Sequence, residues 1–197
     1  MKPDLIRHKD EKEDIPLHFA AKLGFFEGVE FLLEKHRAGA FERNKKGHYP
    51  IHAACRKGHI NIVNRLLKVW PDPMQLLTRN GQNIVHVVAE KGREDMVDQL
   101  LKNPDVEKIV NEKDEDGNTA LHLATKQGRS MAVFSLVKNN KVDWKIVNND
   151  NMAPYEIVEQ QIKKLDDDAK VMLHNFFFLV FSCRPVMCFI CYFYLIS

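Results

Sequence analysis

A four-residue box ending in histidine recurs along the chain at a nearly constant interval. The box histidines are 34, 34 and 36 residues apart, and a glycine follows each of them by six residues. Self-similarity with a period near 34 residues indicates small units stacked in an array rather than one globular core. The four boxes are Ile15-Pro16-Leu17-His18, Tyr49-Pro50-Ile51-His52, Asn83-Ile84-Val85-His86 and Thr119-Ala120-Leu121-His122.

Each unit carries the signals of one turn and two short helices. In the fourth unit, residues 114–118 (Asp-Glu-Asp-Gly-Asn) are typical of a tight turn, because glycine tolerates positive φ and Asp and Asn bond to the nearby backbone. Thr119 begins the first helix, Gly128 ends it, and a second helix is predicted over 130–138. One turn and two short helices cannot bury their own apolar face, so neighbouring units must stack.

The box resembles the signature of the ankyrin repeat, which is Thr-Pro-Leu-His followed by Ala. This resemblance implies an all-α solenoid of helix–turn–helix units with short β-turn tips over residues 1–162. In the half repeat at its end, Tyr155 is expected in the place of the box histidine and Asn151 in the place of the turn glycine. The predicted repeats are 10–43, 44–77, 78–113 and 114–147, followed by the half repeat 148–160.

Longer stretches resemble a narrower family. Residues 81–89 (GQNIVHVVA), 111–125 (NEKDEDGNTALHLAT) and 142–148 (VDWKIVN) are similar to the plant ankyrin–transmembrane proteins, which include accelerated-cell-death type regulators of immunity. That family pairs a cytosolic ankyrin array with a C-terminal domain of several membrane helices that opens with Pro-Gly-Gly. This chain has no Pro-Gly-Gly and one long apolar stretch, so it resembles a shortened member.

The C-terminal tail differs in composition from the array. Residues 163–175 are predicted to be a polar linker, and 176–197 are an almost wholly apolar stretch, long enough for a hydrophobic helix that crosses a bilayer. Arg184 interrupts it at a cost of about 2.5–3.5 kcal/mol, which the surrounding apolar residues can offset. Lysines precede the stretch and no Lys or Arg follows it, so the positive-inside rule places the array in the cytosol.

Two other interpretations of the tail stay open. Its composition is also what a translated intron or a shifted reading frame would give, and it could instead form a hydrophobic cap on the last repeat. If the tail is an anchor, the family resemblance implies the plasma membrane as the location. If it is not, the chain is expected in the cytoplasm.

Composition and motifs favour a binding protein over an enzyme. Charged residues make up 28% of the chain but the net charge is only +2, too balanced for a general nucleic-acid binder. No phosphate-cradling glycine loop and no nucleophile–base set occurs, so no cofactor and no small-molecule substrate is predicted. The box histidines are expected to bond to turn backbones and neighbouring units, because helices packed about 8–10 Å apart cannot bring them to one metal ion. Cys55 is expected to be a buried free thiol.

Function is therefore expected on one concave face, lined by the turn tips and the exposed sides of the first helices. Repeat two is strongly basic there, which predicts recruitment of an acidic protein segment. The alternative is that these charges serve solubility alone. The candidate partner-binding residues are Lys45, Lys46, His48, Arg56, Lys57, Arg79, Asn80, Gln82, Glu90, Lys91, Glu115, Asp116, Asn118, Lys126 and Gln127.

The sequence thus predicts a non-enzymatic protein–protein interaction scaffold with a cytosolic array and a membrane-anchoring tail. The family resemblance implies a role like that of plant immune and stress signalling regulators. The alternative is a truncated or mis-spliced fragment without a signalling function of its own, which could still bind the partners of full-length relatives.

Overall fold

Ten α-helices and three short 3-10 helices, with no β-strand, make up the secondary structure of residues 3–70 and 72–163, which the computed structural model describes. The prediction of an all-α fold is confirmed for these residues. The 3-10 helices are Pro3–Arg7, Arg37–Phe41 and Pro73–Gln75. The α-helices are α1 (Pro16–Leu23), α2 (Phe26–Lys35), α3 (Pro50–Lys57), α4 (Ile60–Leu67), α5 (Ile84–Glu90), α6 (Glu94–Leu100), α7 (Pro104–Glu107), α8 (Ala120–Lys126), α9 (Ser130–Val137) and α10 (Pro154–Ile162).

The helices stack repeat upon repeat. The first helices pack in a row, α1 against α3, α3 against α5, α5 against α8 and α8 against α10. Among the second helices, α2 packs against α4 and α6 against α9. The third box residue of each repeat is buried among the stacked helices. These residues are Leu17, Ile51, Val85 and Leu121. One continuous apolar core therefore runs through all four repeats, as a stacked array requires.

Each repeat begins with a turn of the same design, here called a tip turn. In every tip turn the N–H of the first residue donates to the carbonyl of the fifth, at 2.8–3.1 Å, and the N–H of the fourth donates to the carbonyl of the first, at 2.8–3.1 Å. The side chain of the first residue also accepts from the N–H of the fifth. This need for a short acceptor explains why the turns begin with Asp, Asn or Thr. The five tip turns are 10–14, 44–48, 78–82, 114–118 and 148–152.

The fourth residue of every tip turn has a positive φ. Glycine meets this requirement in three turns, including Gly47 (φ 75°) and Gly117 (φ 75°). Asn151 (φ 56°) does so in the last turn, which confirms its expected place. Glu13 (φ 60°) does so in the first turn, although a left-handed conformation costs a residue with a Cβ about 1–2 kcal/mol.

Glu13→Gly is therefore expected to raise the free energy of unfolding by about 1 kcal/mol, because it relieves this left-handed conformation. Urea unfolding followed by circular dichroism measures the change. Glu11→Gly is the matched control, since Glu11 is exposed in the same turn, loses the same charge and does not have a positive φ. A Glu13→Gly variant no more stable than this control would contradict the explanation.

The box of the half repeat is placed one residue later than predicted. The histidine lies five residues after the turn glycine in the complete repeats, and five residues after Asn151 comes Glu156 rather than Tyr155. Glu156 Oε2 accepts from the Ala153 N–H at 2.6 Å, so this carboxylate takes the histidine's part at the start of α10. The prediction for Tyr155 is thus wrong, because the tip turn fixes the register.

An additional short helix, α7, lies between α6 and the fourth tip turn. Asn103 begins it, since its side chain accepts from the Asp105 N–H at 3.0 Å and Pro104 occupies the first position. Val106 of α7 is buried, as is Ile109 two residues after the helix. The two extra residues of the 36-residue interval fall in this part of the third repeat.

The predicted hydrophobic tail 176–197 lies outside the described residues, as does all of the predicted linker except Lys163. Within the part of the chain that is described, no helix has the length and apolarity needed to cross a membrane.

Candidate protein-binding groove

A groove of about 470 Å³ lies between the first and second repeats. Tip turns and first helices of both repeats line it. Its apolar side chains are Phe19 and Ala53. Its charged side chains, which together with these two define the basic groove, are Lys12, Lys22, Lys45, Lys46, Arg56 and Lys57 against Asp10 and Asp14.

The cations form two groups at opposite ends of the groove. Lys12, Lys45 and Lys46 belong to the first two tip turns, which are joined where the Lys45 N–H donates to the Lys12 carbonyl at 2.8 Å. Lys22 lies in the last turn of α1, and Arg56 and Lys57 lie in the last turn of α3.

Between the two groups lie the apolar side chains. Phe19 on α1 and Ala53 on α3 occupy the same place in successive repeats, one residue after the box histidine. Phe19 is 40% exposed. The groove therefore presents an aromatic side chain flanked by positive charge on both sides.

The two carboxylates of the groove are engaged by the protein itself. Asp10 accepts from the backbone N–H groups of Lys12 and Asp14, both at 2.8 Å. Asp14 accepts from the Asn44 side-chain amide at 2.7 Å. These bonds engage one oxygen of each carboxylate within the two tip turns.

None of the six cations of the basic groove forms an ion pair with a carboxylate in the described ranges. Two cations elsewhere in the array are paired across repeats, Arg65 with Glu30 and Lys138 with Asp98. The basic groove thus holds six cations, unpaired within those ranges, against two carboxylates, so an anionic ligand would be attracted to it.

His48 lines the groove without adding to this charge. Burial lowers the pKa of the half-buried imidazole, and the nearby Arg56 and Lys46 lower it further. The ring is therefore neutral at neutral pH.

All five predicted residues of repeat two line the groove, namely Lys45, Lys46, His48, Arg56 and Lys57. The contribution of repeat one was missed. The groove residues of repeat one could have been found from the repeat register. Lys12 and Lys46 are both the third residue of a tip turn, and Lys22 and Arg56 both follow the box histidine by four residues.

The candidates of repeat three lie outside the groove lining. Glu90 and Lys91 pair with each other at 2.6 Å. Gln82 donates to Asp114 at 3.4 Å, and the Asn80 carbonyl accepts from the next tip turn. Arg79 is exposed, and its role in binding stays a prediction.

In repeat four, Asn118 is not a partner-binding side chain. It is 1% exposed, its side-chain oxygen accepts from the Asn148 amide at 3.1 Å, and its carbonyl accepts from His86. The prediction is wrong because the next tip turn covers the Asn118 side chain, where Asn148 donates to it. The other four stay predictions, with Lys126 half-buried and three exposed, namely Glu115, Asp116 and Gln127.

The box histidines are structural, as expected. In each, Nδ1 accepts from the N–H of the first box residue, at 3.0–3.3 Å. Nε2 then carries the proton and donates to a backbone carbonyl farther along the chain, at 2.9–3.1 Å. Three of these carbonyls belong to the fifth residue of the next tip turn, whereas His52 reaches Leu76 instead. Each imidazole therefore joins its own helix start to the neighbouring structure.

Burial lowers the pKa of all four box histidines, and that of His52 falls to about 3. In the described ranges, no cluster of His, Cys, Asp and Glu is suited to a metal ion. Cys55 is a buried free thiol, as predicted, and burial raises the pKa of its thiol.

These features define a class: a helical repeat solenoid whose open groove, rather than a reactive cluster, is the candidate site. A family model described as ankyrin repeats (3 copies) matches residues 3–75 and 65–148. The chain belongs to the ankyrin repeat family. Proteins of this family are generally binding scaffolds rather than enzymes, and their arrays bind protein partners. None of the curated proteins compared with the chain matches it.

Proposed function

We propose that this protein is a protein-interaction scaffold whose basic groove binds an acidic segment of a partner protein. The observation that carries the proposal is the set of six cations, drawn from two repeats, that face one groove without ion-pair partners in the described residues. Steering by this charge would speed encounter and favour anionic partners over others.

The cations also suit a bound chain more than they suit solubility alone. Charges that only keep a protein soluble are best spread and mixed in sign over the surface. Here three lysines of the tip turns and three cations of the helix ends converge on one concavity of about 470 Å³. An extended acidic segment could contact both groups at once.

Reversing the charge at Lys45, Lys46 and Lys57 to glutamate is expected to weaken binding of an acidic peptide at least tenfold. The physical reason is that three attractions become three repulsions within the groove. Fluorescence anisotropy with a labelled peptide of alternating Glu and Ser measures the affinity, and the parent's affinity should fall as salt is raised.

The matched control reverses Lys102, Lys113 and Lys141, which are exposed lysines outside the groove lining with no ion pair in the described residues. Both triple variants change the net charge equally. Equal losses of affinity in the two would show that total charge governs binding, and the proposed site would be rejected.

We also propose that the tail 176–197 attaches the array to a membrane, with the repeats in the cytosol and the plasma membrane as the location. Support comes from the length and apolarity of the tail and from the resemblance to plant ankyrin–transmembrane immune regulators. Alkaline carbonate extraction of the full chain tests this attachment, and release into the soluble fraction would contradict it.

A further inference from the structure

We infer that the partner segment has a defined pattern, in which one apolar residue is flanked on both sides by acidic residues. This inference rests on the proposed function of the basic groove and specifies the ligand's chemistry. It follows from the positions of the charged and the apolar side chains in the groove.

The two groups of cations are separated along the first helices of repeats one and two. The tip-turn group precedes α1 and α3, and the helix-end group lies in the last turns of the same helices. A helix of eight residues is about 12 Å long. An extended peptide covers that distance with about four residues. Acidic residues about two positions before and two positions after a central residue can therefore reach both groups.

Apolar side chains lie at the centre of the groove, between the two groups of cations. Phe19 and Ala53 are the apolar side chains of the groove lining. In repeats three and four the equivalent residues, Val87 and Leu123, are 2% and 8% exposed, whereas Phe19 is 40% exposed. Repeat one thus exposes an aromatic surface at a position that is buried in repeats three and four. An apolar side chain of the ligand would cover this surface.

A single-stranded nucleic acid is the other ligand that combines negative charge with groups able to stack on Phe19. Such ligands are bound on several aromatic side chains, each stacking with a successive base. Phe19 is the one Phe, Tyr or Trp side chain in the lining of the basic groove, and it lies between two separate groups of cations. A single apolar contact between two acidic clusters fits this arrangement better than a continuous chain of stacked bases.

The test compares three labelled peptides of equal charge on the full chain held in nonionic detergent, with fluorescence anisotropy as the readout. The first is Glu-Asp-Glu-Ser-Leu-Ser-Glu-Asp-Glu. The second has serine in place of the leucine, and the third has the leucine moved to the C-terminus. The first peptide is expected to bind about tenfold more tightly than the other two, because it is the one peptide that places a leucine at Phe19.

Phe19→Ala is expected to remove this preference, so that the leucine peptide binds no more tightly than the serine peptide. Met131→Ala is the control, since Met131 is similarly exposed but lies outside the groove lining. Urea midpoints confirm that both variants fold. A preference that survives Phe19→Ala, or an oligothymidine that binds more tightly than the first peptide, would overturn the inference.

The charge-reversal variant at Lys45, Lys46 and Lys57 separates this inference from the proposed function. If it weakens binding of all three peptides and the parent shows no preference among them, the groove binds acidic segments and only the pattern is wrong. If it binds every peptide as the parent does, the proposed function itself fails.

Discussion

Replacing His86 with alanine is expected to lower the free energy of unfolding by about 3–5 kcal/mol. The imidazole is fully buried between the third and fourth repeats. Its removal leaves the Asn83 N–H and the Asn118 carbonyl without their partner, and each buried unpaired group costs about 1–3 kcal/mol. The cavity left by the ring adds to this cost.

Urea unfolding at pH 7.5, followed by far-ultraviolet circular dichroism, measures the loss. His8→Ala provides the control, because His8 is exposed and surface substitutions usually change stability by no more than about 0.5 kcal/mol. A loss below about 1 kcal/mol for His86→Ala would mean that water or a rearranged turn replaces both hydrogen bonds, and the structural role assigned to the box histidines would be wrong.

The repeat architecture could be predicted from the sequence because each unit repeats its requirements at fixed offsets. A left-handed turn position selects glycine, a box position needs a side chain that reaches back to the helix start, and an apolar position faces the next repeat. These requirements are local, so four copies in phase identify them. The positive φ of Gly47 and the buried imidazole of His52 follow directly from this pattern.

The half repeat shows where such reasoning fails. There, Asn151 and Glu156 replace glycine and histidine with residues that meet the same physical requirement by other means. A pattern of residue types cannot be aligned where the types change, whereas the backbone of the tip turn fixes the register.

The basic groove was only half predictable, because it is a property of two repeats together. The charges of repeat two alone indicate Lys45 and Arg56 but not Lys12, Lys22 and Phe19, which the neighbouring repeat brings to the same concavity. The prediction that Asn118 binds a partner was wrong for the converse reason. Its place in the tip turn appears exposed in a single repeat and is covered once the next repeat is added.

Acid is expected to destabilise the array between pH 7 and pH 5, above the pKa values of about 3.9 and 4.3 of unperturbed Asp and Glu. An unfolded histidine has a pKa near 6.5, whereas the pKa of His52 in the folded chain is about 3. Between these values the unfolded chain binds a proton that the folded chain does not, so the free energy of unfolding falls as the pH falls. His52 alone accounts for a loss of about 2 kcal/mol by pH 5.

The other box histidines act in the same direction, because burial lowers the pKa of His18, His86 and His122 as well. The total loss should therefore exceed the contribution of His52. The titration of Glu42 does not account for a loss of stability between pH 7 and pH 5. Burial raises the pKa of this carboxyl, but hydrogen bonds from Lys9 and His36 outweigh it and hold the pKa below 4.5, so its contribution to stability is lost at lower pH.

Urea unfolding at pH 7, 6 and 5 gives the slope of stability against pH, and one proton taken up on unfolding corresponds to about 1.4 kcal/mol per pH unit. His52→Gln should reduce the slope near pH 5 by about this amount, since glutamine does not titrate. A free energy of unfolding that stays constant from pH 7 to pH 5 would show that the buried imidazoles are protonated in the folded array, and the assignment of Nδ1 as a hydrogen-bond acceptor would then be incorrect.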